Sequence, residues 1–133
     1  MILRIGTRGS PLALAQARET AQRLRDEHGL APEQTEIIVI KTTGDMVTDR
    51  PLAEIGGKGL FTREIEDALL AGTIDMAVHS MKDMPAQLPQ GLEIAAILPR
   101  EDARDAFVSV RFGSFNSLPE AARLGSSSVR RTA

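Results

Sequence analysis

Ile74-Asp75-Met76-Ala77-Val78-His79-Ser80-Met81-Lys82-Asp83 sets the fold class of this chain. Ile74 to Val78 reads as a buried strand, and a charged Lys-Asp pair follows at its exit. Open α/β sheets keep their ligand chemistry at the carboxyl ends of parallel strands. A strand has no use for that pair of charges. A site that holds anionic groups and stabilises a developing positive charge does. Pro85 and Pro89 then rule out a helix between Met84 and Gly91.

Working outward, Ile2 to Gly6 reads as a short strand. Ser10 suits an N-cap and Pro11 the first helical position. A helix is expected from Pro11 to about Glu27, with Leu12, Ala13, Ala17, Ala21 and Leu24 at helical spacing and His28-Gly29 ending it. Thr35 to Lys41 is apolar and β-branched, hence a buried strand. Thr42 to Pro51 reads as a polar loop, long enough to suggest function. A second helix is expected from a Thr62 cap, with Glu64, Glu66 and Asp67 on a solvated face near its start. Leu69 and Leu70 would face the core, and Gly72 would end the helix. Leu92 to Leu98 reads as a fourth strand. The order is β-α-β-α-β-β, an α/β fold with a mostly parallel sheet, flanking helices and right-handed crossovers. Residues 1–99 form the first domain, 100–105 a charged linker, and 106–133 the truncated start of a second. Within the last segment, Ala106 to Val110 reads as a strand and Leu118 to Ala122 as a short helix. That is too little to bury a core of its own, so truncation is expected.

Composition narrows the function. The 133 residues suffice for a real core, with 42% hydrophobic and 26% charged residues. No apolar run approaches the roughly 20 residues of a membrane span. Met1 to Ile5 lacks the features of a signal peptide, so a cytoplasmic location is expected. Cysteine is absent, and two histidines, His28 and His79, are too isolated for zinc, so no metal is expected. A net charge of −2 argues against a nucleic-acid surface, and the lack of Tyr and Trp against base stacking. Yet Arg8, Lys58, Lys82, Arg130 and Arg131 all lie in glycine- or serine-rich turns. Basic turns on a weakly charged chain suggest a small anionic ligand.

Each turn also has a plainer reading. Gly125-Ser126-Ser127-Ser128-Val129-Arg130-Arg131 fits an anion-binding helix start with two arginine forks, or a cap followed by solvated arginines. Gly56-Gly57-Lys58-Gly59-Leu60-Phe61 lacks the ending of a P-loop, and alone it reads best as a flexible loop. In Thr7-Arg8-Gly9-Ser10-Pro11 the serine caps a helix whatever else it does, but no cap requires Arg8. His79 reads as a structural hydrogen-bonder. Asp83 with Lys82 is either a surface pair of little worth or part of a site, and its place at a strand end favours the site. Met46, Met81 and Met84 read as packing or loop residues.

The four segments around Arg8, Lys58, Asp83 and Arg130, in that order, closely resemble the porphobilinogen deaminase (hydroxymethylbilane synthase) family. The resemblance covers essentially the whole chain. It implies a transferase of haem biosynthesis that joins four porphobilinogen units into the linear tetrapyrrole hydroxymethylbilane, releasing ammonia at each step. It implies three α/β domains, the first two resembling type 2 periplasmic binding proteins, with the active site in the cleft between them. It further implies a dipyrromethane cofactor attached to a cysteine of the third domain. Each pyrrole carries an acetate and a propionate. By position in the motifs, Arg8, Ser10, Lys58, Lys82, Ser126, Ser128, Arg130 and Arg131 would hold these carboxylates. Asp83, beside Lys82, matches the catalytic aspartate, which would stabilise positive charge near the ring nitrogen. The loop from Thr42 to Glu54 would form a mobile lid.

The chain departs from the family pattern in three ways. It has no cofactor cysteine, it lacks the later arginines of the second domain, and it lacks the segment returning to the first sheet. Its last turn also reads Gly-Ser-Ser-Ser-Val-Arg-Arg-Thr where the family has Gly-Thr-Ser-Ser-Leu-Arg-Arg-Gln. The expectation is therefore an N-terminal fragment, inactive alone, of a full-length protein that is monomeric. The alternatives are a non-catalytic domain binding small carboxylates, which would not need Asp83, and a fragment that self-associates through an open sheet edge.

Overall fold

β1 (Leu3–Thr7), β2 (Thr35–Val39) and β3 (Met76–Ala77) form a three-stranded parallel sheet with β1 in the middle. This computed structural model describes residues 1–46 and 59–126. Leu3 pairs with Thr35 and Thr7 with Val39, while Ile5 pairs with Met76 and Gly6 with Ala77. A central strand is covered on both edges, and Ile5, Gly6 and Thr7 are all buried. The bonded ladder runs past the two residues of β3. The Asp75 N–H donates to the Arg4 carbonyl at 2.9 Å and the Val78 N–H to the Gly6 carbonyl at 3.0 Å. The Asp75 carboxylate adds bonds to the Arg4 backbone N–H at 2.7 Å and to its guanidinium at 2.8 and 3.1 Å.

α1 spans Pro11–His28 and starts as expected: Ser10 Oγ accepts the Ala13 N–H at 3.2 Å. Gly29 closes it with φ 62°, a conformation that costs other residues more. Ala17 and Ala21 are buried on the side that meets β1 and β2. Leu12, on the same helical spacing, is 55% exposed.

The polar stretch after β2 is not all loop. Thr43–Met46 makes a single helical turn, α2. α3 spans Arg63–Leu70 and buries Ile65. Leu69, four residues on, is half-buried, whereas Leu70 is 54% exposed, since five residues rotate it off the buried face. Thr62 occupies the cap position, but its ψ of −29° keeps the side chain from capping. A turn opened by Gly59 leads in instead, with the Arg63 N–H donating to the Gly59 carbonyl at 3.1 Å. Met46 and Met81 are exposed, so they do not pack.

The chain divides into two compact units, Met1–Ala95 and Ala96–Ala133. The expected fourth strand, Leu92 to Leu98, does not form among the described residues, and Ile94, Ile97 and Leu98 are exposed. Its apolar content suits a strand, but it pairs with neither β2 nor β3 at the edges of the sheet. In the second unit Ala106 to Val110 is likewise unpaired, and Leu118 to Ala122 is not helical. The regular element described there is a 3-10 turn, Phe115–Ser117, with the Phe115 ring edge-on to Phe107 at 6.0 Å. Among the described residues no helix is long and apolar enough to cross a membrane.

Candidate functional site

Parallel pairing sets the ends of β1 and β3 side by side. Arg8 leaves β1 there, and the stretch from His79 to Asp83 leaves β3, with a 3-10 turn over Met81–Asp83. Arg8 is the hub. Its Nε and Nη2 donate to Asp45 Oδ1 at 3.1 and 2.5 Å, and its Nη1 lies 3.5 Å from Asp83 Oδ2. The guanidinium carbon sits 3.9 Å from the centre of the Phe61 ring, a cation–π stack. The three charged side chains are only 17%, 24% and 22% exposed. Water therefore screens them less than it would at the surface.

Asp45 is itself held. The buried Thr42 hydroxyl donates to Asp45 Oδ2 at 2.8 Å, and the Asp45 N–H donates to the Thr42 carbonyl at 3.0 Å. Hydrogen bonds from Arg8, helped by Thr42, hold the Asp45 carboxyl below its ordinary range against the effect of burial. α2 is tied to α3 through Glu64, whose Oε1 accepts the Thr43 N–H at 2.9 Å and its hydroxyl. Glu64 thus departs from the solvated face expected of it. The same contact holds its carboxyl below the usual range. Among the described residues, Thr62 Oγ1, Glu64 Oε2 and Glu66 Oε1 are buried without a partner.

Two cavities meet at Asp83. The smaller, about 110 Å³, is lined by Arg8, Ser10, His79, Ser80, Lys82 and Asp83, among others. The wider, about 860 Å³, runs along Thr62, Glu66, Asp83 and Pro85. The Ser80 hydroxyl donates to Gln16 Oε1 at 2.9 Å and fixes the floor of the small cavity to α1. Burial pushes the His79 imidazole below its ordinary value, with Asp83 and Glu66 opposing. The small cavity offers donors for an anion and one carboxylate for an N–H or a positive charge.

The family model for porphobilinogen deaminase, dipyromethane cofactor binding domain, matches residues 3–133. The chain belongs to the porphobilinogen deaminase family. It is 68% identical over 131 residues to the porphobilinogen deaminase of Paracoccus denitrificans, covering 98% of this chain and 42% of that protein. The chloroplastic porphobilinogen deaminase of Oryza sativa is 58% identical over 132 residues, with 98% and 37% covered. That of Nitrobacter winogradskyi is 60% identical over 129 residues, with 97% and 41% covered. The chain thus spans about two fifths of the length of these deaminases.

Of the residues that the deaminase resemblance singled out, Arg8, Ser10, Lys82 and Asp83 come together around the small cavity. Ser126 lies exposed in the second unit. Lys58, Ser128, Arg130 and Arg131 lie outside the described residues, as does most of the expected lid. Ser10 both caps α1 and lines the cavity. Asp45, Phe61, Thr42 and Gln16 were not anticipated. One signal for Asp45 was present: Thr42-Thr43-Gly44-Asp45 has the spacing of a capping box, and a helical turn follows it.

Proposed function

We propose that the protein containing this chain is a hydroxymethylbilane synthase, a cytoplasmic and monomeric enzyme that condenses porphobilinogen with release of ammonia. Residues 1–99 would form a first domain resembling a type 2 periplasmic binding protein, and 106–133 would open a second. The separation of the chain at Ala95–Ala96 supports that division. The observation that carries the reading is Asp83 at the carboxyl end of a parallel strand, 3.5 Å from Arg8 and shared by two cavities.

The donor set suits the substrate. Arg8, Ser10 and Lys82 offer N–H and O–H groups to an acetate or propionate. Lys58, Ser126, Ser128, Arg130 and Arg131 extend that set in the proposal. Loss of ammonia from porphobilinogen, and attack by the next pyrrole, leave positive charge around a ring nitrogen. A carboxylate fixed within reach of the N–H stabilises those states, which is the role of Asp83 here.

A dipyrromethane cofactor has the same chemistry, since it brings carboxylates and pyrrole N–H groups of its own. The cation-and-carboxylate pair of Arg8 and Asp83 fits one such ring. No attachment cysteine is among these 133 residues.

The test is Asp83→Asn in the complete enzyme purified from its source. Turnover of porphobilinogen should fall by about a hundredfold or more while binding is kept, as for an interaction made mainly in the transition state. Unchanged turnover would reject the role given to Asp83, and no turnover by the unaltered protein would favour a carboxylate-binding module. The 133-residue chain alone is expected to be inactive, and sustained product from it would refute that part.

A further inference from the structure

We propose that Asp45 is a positioning residue that holds the Arg8 fork off Asp83, so that the Asp83 carboxylate is left without a tight partner and open to the site. The inference rests on the reading of Asp83 given above. Two carboxylates compete for one guanidinium. Asp45 takes the Nε and Nη2 side, with contacts of 3.1 and 2.5 Å, while Asp83 keeps one contact of 3.5 Å from Nη1. An arginine fork is worth most when two parallel N–H groups meet one carboxylate. That fork is spent on Asp45. Asp83 meets only the remaining corner, at a length where the hydrogen bond is weak.

The arrangement is braced from three sides. The Thr42 hydroxyl orients Asp45 at 2.8 Å. Phe61 covers a face of the guanidinium and stops it swinging sideways. α2, which carries Asp45, is anchored by Glu64 on Thr43 and by the Gly44 N–H on the Leu60 carbonyl at 2.7 Å. Without Asp45, the Phe61 stack alone would oppose the turn of the Arg8 fork onto Asp83. A carboxylate paired in that way is a poorer partner for a cationic ring. The other titratable groups lining the two cavities are Arg63, Glu66, Asp67, His79 and Lys82, and Arg8 bonds to Asp45 and Asp83.

The experiment needs no ligand. Rotation of the Arg8 guanidinium is followed by NMR in the complete protein, as wild type, Asp45→Asn, and Asp45→Asn combined with Asp83→Asn. Release of Arg8 onto Asp83 should leave rotation slow in Asp45→Asn and free it in the double variant. Free rotation in a folded Asp45→Asn protein, or rotation still slow in the double variant, overturns the proposal. If Asp45→Asn does not fold, Asp83→Asn alone is read: Asp45 still holds the fork, so rotation should stay slow, and free rotation overturns the proposal. The wild type is informative by itself: the Arg8 Nε–H signal should show slowed guanidinium rotation, and free rotation would also overturn the proposal. Failure here leaves the Asp83→Asn turnover test untouched, so the two readings fall separately.

Discussion

Arg8 shows how a residue read from a motif acquires its meaning from residues elsewhere. As part of a Thr-Arg-Gly-Ser-Pro turn it is a cation waiting for an anion. In the fold its strongest partner is Asp45, 37 positions away. Ion pairs of this kind also set the response to acid. The Asp75 carboxyl, bonded to Arg4 through side chain and backbone, is lowered to about 2. Its folded value is below the ordinary carboxylate value of about 3.9. Its contribution to stability is therefore present above about pH 4 and is lost as the pH falls from there towards 2. Asp45 adds to the same trend, its carboxyl also being held down by its arginine. Melting temperatures measured between pH 6 and 2.5 should fall steeply at the acid end. Asp75→Asn should melt lower at neutral pH and lose part of that slope. An identical slope in the variant would mean that the Arg4 pair does not matter.

At the scale of elements, α2 packs through a glycine against the turn that leads into α3. A Cβ on Gly44 would lie 2.2 Å from the Phe61 ring, and a ring has little room to yield. Gly44→Ala should cost about 1–3 kcal/mol, typical of overpacking, and should loosen the Phe61 stack on Arg8. Urea unfolding of the variant checks the first part, and a change in the Arg8 side-chain shifts, which sense the ring, checks the second. Much of this level was legible in the sequence. The caps of α1, its length, β1 and β2 follow from local patterns such as Ser10-Pro11 and Gly29. Leu92 to Leu98 was not legible in the same way. Its pattern is that of a strand, but a strand is half of a pair, and the other half is a property of the fold. α2 was hidden for the opposite reason, since four residues, Thr43 to Met46, are too few to show periodicity and only the Thr42–Asp45 spacing marked the turn. Within the site, Arg8, Ser10, Lys82 and Asp83 were found because their segments are distinctive. Asp45 and Phe61 were missed because their roles exist only through contact with Arg8.

At the scale of the whole molecule, the two units differ in how much structure they hold. The first has the sheet, both longer helices and the cavities. Among its described residues the second has a single 3-10 turn and exposed side chains such as Val108 and Val110. Brief trypsin treatment should therefore cut early after Arg100, Arg104 or Arg111 and leave a resistant product ending near there. Survival of the intact chain under those conditions would contradict this picture. Sheet order has a different consequence, for synthesis. The strand made first is the one that sits in the middle. On a ribosome, β1 emerges with neither neighbour available. Its first edge is filled only when residues 35–39 appear, and its second only after residue 76. Until then Ile5 and Thr7 have no interior to enter. The nascent chain must keep its eventual centre exposed until residue 77 has been made, and anything that shields such a segment early would favour correct folding.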